Sequence, residues 1–117
     1  MKIFVYGTLK RGYGNNRLLQ NAKFVGEKTL EGYKLYNAGF PVARQSYGDR
    51  VQGEVFEIAD SDTMTLQLID FLESNGRMYD RTEHEDVSLY VGHPEYWNYE
   101  TLEPCPKNAD GVFVWNR

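Results

Sequence analysis

The chain has 117 residues, of which 41% are hydrophobic and 26% charged, with nine Tyr and six Phe. That composition suits one folded domain and excludes a disordered or fibrous chain. A net charge of −4, with basic residues scattered rather than striped, argues against nucleic acid and favours a small-molecule ligand. The longest apolar runs fall far short of the ~20 residues that span a bilayer, and no basic segment precedes a cleavable apolar stretch. A lone cysteine, Cys105, forms no internal disulfide and favours a reducing, cytoplasmic setting; flanked by Pro104 and Pro106, it is read as a loop thiol.

Lys2 to Tyr6 reads as a strand buried on both faces, since Ile3, Phe4 and Val5 are consecutive apolar residues. It runs into a segment with three glycines, Gly7, Gly12 and Gly14. Asn15 or Asn16 is then placed to cap a short helix bearing Leu18 and Leu19. Between Lys23 and Arg44 no helical period persists. Short bent strands are expected there, with bends at Gly32 and Gly39. Arg50 to Ile58 forms a further strand with Val51, Gly53 and Val55 on one face, Phe56 and Ile58 on the other.

The clearest helix spans Ser61 to Glu73, capped from Asp60, Ser61 or Asp62, with Met64, Leu68, Phe71 and Leu72 at helical spacing. Ser74-Asn75-Gly76 ends it. Arg81 to Val91 alternates as one half-buried strand, with Val87, Leu89 and Val91 inward and His84, Asp86, Ser88 and Tyr90 on a polar outer face. An aromatic and proline-rich tail follows, and Val112 to Trp115 is expected to return as a last short strand. Many short strands, one long helix and frequent glycines give an α+β domain over residues 1–117 whose sheet curls toward a barrel.

A glycine-bearing turn between strand and helix is either a structural turn or an anion cradle. It is not a P-loop, because Gly12 is followed by Tyr13 and Gly14 rather than Lys and Ser/Thr. The stretch Val5-Tyr6-Gly7-Thr8-Leu9-Lys10-Arg11-Gly12, with Asn15, Arg17 and Leu18 after it, resembles the opening of γ-glutamylcyclotransferase-like proteins, which include plant AIG2-like proteins. It is most similar to the γ-glutamylaminecyclotransferase branch. Val51-Gln52-Gly53-Glu54-Val55-Phe56, Ile69-Asp70-Phe71-Leu72-Glu73, the spacing of Tyr79 and Arg81, and Phe40-Pro41 extend the resemblance to about Val91. Ser74 stands where the family usually has Gly.

The resemblance implies a bent mixed barrel with one main helix and a short flanking helix. It implies that Tyr6, Gly7, Thr8 and Leu9 hold the carboxylate and amine end of a γ-glutamyl group, with Glu73 as the catalytic carboxylate. The chemistry implied is attack of the substrate's own α-amine on its side-chain carbonyl, giving 5-oxoproline and a free amine. One carboxylate can shuttle the proton, so no metal or cofactor is required, and His84 and His93 lack ligand spacing. Tyr79 either packs in the core or presents its hydroxyl to substrate. Asp70, three residues before Glu73, either raises the proton affinity of Glu73 or caps and solvates the helix. The wall around the leaving group is expected from the tail and the loops near Asn37 to Tyr47. A non-catalytic module binding a small anionic metabolite in the same cavity is the alternative, and an interaction protein with a vestigial pocket a third. A monomer is the default, as no amphipathic partner helix is visible.

Overall fold

Ile3, Phe4 and Val5 lie in the central strand β1 (Lys2–Val5) of a computed structural model that describes residues 1–116. Because side chains alternate along a strand, Phe4 enters one apolar core while Ile3 and Val5 enter a second on the opposite face. Both neighbours of β1 are strands. It runs antiparallel to β3 (Pro41–Glu57) and parallel to β5 (Val87–Gly92), so the sheet is mixed. With β2 (Lys23–Asn37), β4 (Tyr79–His84) and β6 (Glu103–Pro104), the order across it is β4-β5-β1-β3-β2-β6, and it curls into a half-barrel.

The short bent strands expected between Lys23 and Arg44 are instead parts of one long hairpin, with β2 and β3 paired from Lys23–Glu57 to Asn37–Pro41. The glycines do not end strands. The register shifts between Phe24 and Gly26 and between Glu31 and Tyr33, so Gly26 and Gly32 sit at bulges that bend β2 while letting it continue. Only Gly39, with φ 88°, belongs to the turn. The face assignment along β3 holds: Val51 and Val55 enter the core with Phe4, Phe56 the core with Ile3. At Gly53 a Cβ would lie 2.6 Å from Phe4 Cζ, so glycine lets β1 and β3 close there.

The helix α1 (Thr63–Leu72) starts at Asp62, whose Oδ1 accepts the Thr65 N–H at 3.1 Å. Its buried face is not the expected one. Thr65 and Ile69 are buried, whereas Met64 is 63% and Phe71 86% exposed; the helix meets the core by a narrow stripe, with Ile69 in the cluster of Ile3, Val5, Leu19 and Phe56. Its end has paired capping bonds: Asn75 N–H to Asp70 O at 3.0 Å and Ser74 N–H to Phe71 O at 3.2 Å. This is a Schellman closure, which needs a left-handed residue at the first position past the cap, and Ser74 supplies it at φ 48°.

Two further expectations give way. Arg81 to Val91 is a hairpin, β4 and β5, turning at Glu85, where φ is 56° with no glycine to signal it. Ser88 and Tyr90 are accordingly buried, because β5 lies inside the sheet between β4 and β1. Val112 to Trp115 forms no strand. Phe113 makes single bridges to Val51 and Lys107, and Val112, Phe113 and Trp115 are buried as packing groups. Cys105 lies in the loop after β6, as expected; it is buried there, and burial pushes its thiol up to about 11. Among the described residues no helix is long and apolar enough to cross a membrane.

Ser74 adopts a conformation that costs a residue with a Cβ about 1–2 kcal/mol and costs glycine little. Ser74→Gly is therefore expected to stabilise the fold by about 0.5–1 kcal/mol after the greater unfolded-state entropy of glycine. Urea unfolding of the two proteins measures it as an increase in midpoint at constant slope.

Candidate active site

Beyond β1 the chain turns at Tyr6 to Gly12. The Lys10 N–H donates to Gly7 O at 3.0 Å, closing the loop on itself. A 3₁₀ helix, Gly14–Leu19, follows where a short helix was expected, but neither Asn15 nor Asn16 caps it; Tyr13 occupies that place without a side-chain bond. Both amides reach back seven residues instead. Asn15 Nδ2 donates to Thr8 Oγ1 at 2.9 Å and Asn16 Nδ2 to Leu9 O at 2.8 Å. The loop is thus fixed from behind, while the N–H groups of Gly7, Thr8 and Leu9 donate to no described residue. Gly7 is required by space: a Cβ would stand 2.7 Å from Pro41 Cγ, so the loop and the β2–β3 turn close on each other.

That closure leaves a cavity of about 290 Å3. One side is the loop, Tyr6 to Leu9 with Asn15; the floor includes Phe4, Val5 and Tyr90. Phe40 and Pro41 come from the hairpin turn, Leu72 and Glu73 from the end of α1, Met78 and Tyr79 from the start of β4. All six residues assigned from sequence, Tyr6, Gly7, Thr8, Leu9, Glu73 and Tyr79, therefore line one space.

Glu73 is the helix cap residue, so the Schellman turn sets its direction. Its carboxyl makes no hydrogen bond or ion pair among the described residues. Loss of water raises its pKa to about 7, so proton uptake and release both fall near neutral pH. Asp70 is not the cause. Asp70 accepts from Arg81 Nε at 3.1 Å and from the Tyr90 hydroxyl in a short bond, and so joins the helix end to β4 and β5.

The tyrosine hydroxyls are engaged in the framework. Tyr79 donates to Pro41 O at 3.0 Å, which ties β4 to the turn that packs on Gly7. Tyr6 donates to Tyr90 O at 2.5 Å and accepts from Ala43 N at 3.3 Å. Burial, with the Glu73 charge nearby, raises the pKa of Tyr6 and Tyr79, so both stay protonated donors. Their rings, rather than free hydroxyls, face the cavity.

No described residue of the tail lines the cavity, contrary to expectation. It braces the wall from outside: Trp97 stacks edge-on to Phe40 and Tyr79, and its Nε1 donates to Met78 O at 2.8 Å. His93 pairs with Asp80, and among the described residues no three His, Cys, Asp or Glu converge as metal ligands. Tyr90 and Met78 were not assigned to a site from sequence. Tyr90 lay on the face read as polar, and Met78 had no pattern to mark it. Asn15 had one, since it follows Thr8 at a spacing that fits a loop folding back.

The family model described as gamma-glutamyl cyclotransferase, AIG2-like, matches residues 3–111. The chain belongs to this family. It is 39% identical over 96 residues to the γ-glutamylcyclotransferase family protein YtfP of Escherichia coli, an alignment covering 78% of this chain and 81% of that protein. An uncharacterized protein of Pyrococcus horikoshii has a crystal structure similar to this one, with a TM-score of 0.72 and 28% identity over 97% of this chain and 89% of that chain. An AIG2-like protein of Mus musculus gives 0.67 and 28%, over 99% and 95%. This family member thus shares its curled sheet with proteins whose chains it matches nearly end to end.

A carboxyl whose pKa is raised by folding holds its proton in the native state after the unfolded chain has released it. Stability attributable to Glu73 is therefore intact below pH ~4.5 and declines as pH rises from there to about 7. Glu73→Gln is expected to stabilise the protein by about 1–2 kcal/mol at pH 8, a figure reduced for residual solvation, and by nothing measurable at pH 4. Thermal or urea unfolding at the two pH values checks the difference.

Proposed function

We propose that this protein is a cyclotransferase that closes the γ-glutamyl part of a γ-glutamyl amine or amino compound to 5-oxoproline and releases the free amine. The single observation supporting it most is Glu73: a carboxyl without a partner among the described residues, its pKa raised to about 7, lining a small cavity together with loop N–H groups that donate to no described residue. In this reading the N–H groups of Gly7, Thr8 and Leu9 take the α-carboxylate, and the substrate curls so that its α-amine stands about 3–3.5 Å from the γ-carbonyl carbon. The cavity, at the small end of the usual ~300–1,000 Å3 for ligand sites, suits that folded conformation.

Ionised Glu73 accepts a proton from the α-ammonium, which frees the nitrogen lone pair to attack the γ-carbonyl. The new C–N bond closes a five-membered ring, and the carbonyl electrons pass to oxygen. Collapse breaks the bond to the leaving nitrogen, to which Glu73 delivers its proton; the ring nitrogen, still carrying one proton too many after the attack, gives it to the freed carboxylate, and from there it passes to the released amine, leaving the neutral lactam, an ammonium and ionised Glu73. A pKa near the working pH lets one group perform both transfers. Tyr6 and Tyr79 shape the cavity with their rings, and their hydroxyls keep Gly7, Pro41 and Ala43 in place.

Incubation with a panel of γ-glutamyl amines and γ-glutamyl amino acids, with 5-oxoproline followed by mass spectrometry, tests the reading. Wild type is expected to release it, with kcat/KM rising tenfold per pH unit below about 7 and levelling above. Glu73→Gln is expected to lose about 10²–10⁴-fold and the pH dependence with it. Saturable binding without 5-oxoproline from any substrate would replace catalysis by ligand capture.

A further inference from the structure

The cavity lining is of two chemical kinds. The loop contributes the Asn15 amide and the Gly7, Thr8 and Leu9 N–H groups, which donate to no described residue, while Phe40, Pro41, Leu72 and Met78 give the rest of the lining an apolar surface. Phe40 is 36% and Leu72 38% exposed, so both keep apolar surface that a ligand in the cavity can remove from water. The cationic side chains nearest in sequence are committed elsewhere. Arg77 lies over the Tyr96 ring, Arg81 is held by Asp70, and Arg17 donates to Gly14 O at 2.9 Å. Among the described residues Glu73 is the one charged group lining the space.

We propose that the apolar wall of Phe40, Pro41, Leu72 and Met78 selects a γ-glutamyl conjugate whose leaving amine is uncharged and apolar, an alkyl- or arylamine, over one carrying its own carboxylate or second ammonium. The proposal rests on the cyclotransferase reading for the orientation of the substrate. With the α-carboxylate at the loop N–H groups and the α-amine at Glu73, the leaving nitrogen's substituent is left with the remaining lining, of which Phe40, Pro41, Leu72 and Met78 are the apolar side chains. A carboxylate there would lose water and gain no cation, a large penalty, whereas a hydrocarbon chain gains by removing Phe40 and Leu72 from water. A γ-glutamyl amino acid meets that penalty and a γ-glutamyl alkylamine does not.

Three conjugates isolate the effect: γ-glutamyl-n-pentylamine, γ-glutamyl-norleucine, which adds only a carboxylate, and γ-glutamyl-1,5-diaminopentane, which adds only an ammonium. Calorimetric titration of Glu73→Gln with each measures binding without turnover, so the result stands whether or not the wild type makes 5-oxoproline. The pentylamine conjugate is expected to bind on the order of 10–100-fold more tightly than the other two. Leu72→Arg, a change at a partly exposed position, is expected to shift the norleucine-to-pentylamine affinity ratio about tenfold toward norleucine. Equal or tighter binding of either charged conjugate, no binding of any, or an unmoved ratio in Leu72→Arg overturns the proposal. Absence of 5-oxoproline from wild type with the binding order retained counts against cyclisation and for the apolar subsite.

Discussion

Glu73 ends its helix in a turn that leaves its carboxyl without a partner among the described residues, partly withdrawn from water in the wall of the cavity. Folding normally avoids such a group, because a buried charge needs a counter-charge or hydrogen bonds. Here the neighbours that could satisfy it are held apart. Arg81 is bound by Asp70, and the Tyr6 and Tyr79 hydroxyls point to backbone carbonyls of Tyr90 and Pro41. The framework thus consumes its own donors and keeps the carboxyl able to exchange protons with a ligand.

The same bonds bring three distant stretches of chain together. Gly7 packs on Pro41, Pro41 accepts from Tyr79, and Tyr6 joins Tyr90 to Ala43, so the loop, the β2–β3 hairpin and the β4–β5 hairpin share one junction. Asn15 and Asn16 hold the loop from its far side. Under the proposed reaction such rigidity has a chemical purpose: a cyclisation whose nucleophile belongs to the substrate depends on geometry more than on reactive protein groups.

Much of the site was legible because it is local. The strand into Gly7, the loop to Gly12, and a helix capped from among Asp60, Ser61 and Asp62 and ending at Glu73 are each short patterns with a physical cause. What was not legible depends on contacts remote in sequence. Gly32 reads as a bend between short strands in a linear reading, yet bonding to β3 carries one strand through it. Glu85 turns a hairpin with no glycine, which only pairing across β4 and β5 reveals. Periodicity placed Met64 and Phe71 inward on α1, but Thr65 and Ile69 are the residues it buries. Ser74 shows the opposite case, since a position where the family usually has glycine keeps its left-handed backbone with a serine in it.

The most direct test of the account is the ionisation of Glu73 itself. Carbon-detected NMR of the side-chain carboxyl, assigned through Glu73→Gln, gives its titration curve without reference to any substrate. A midpoint near 7 is the result predicted by a carboxyl deprived of water and of partners. A midpoint near 4.5, that of an ordinary solvated glutamate, would contradict it and remove Glu73 as a proton shuttle at neutral pH.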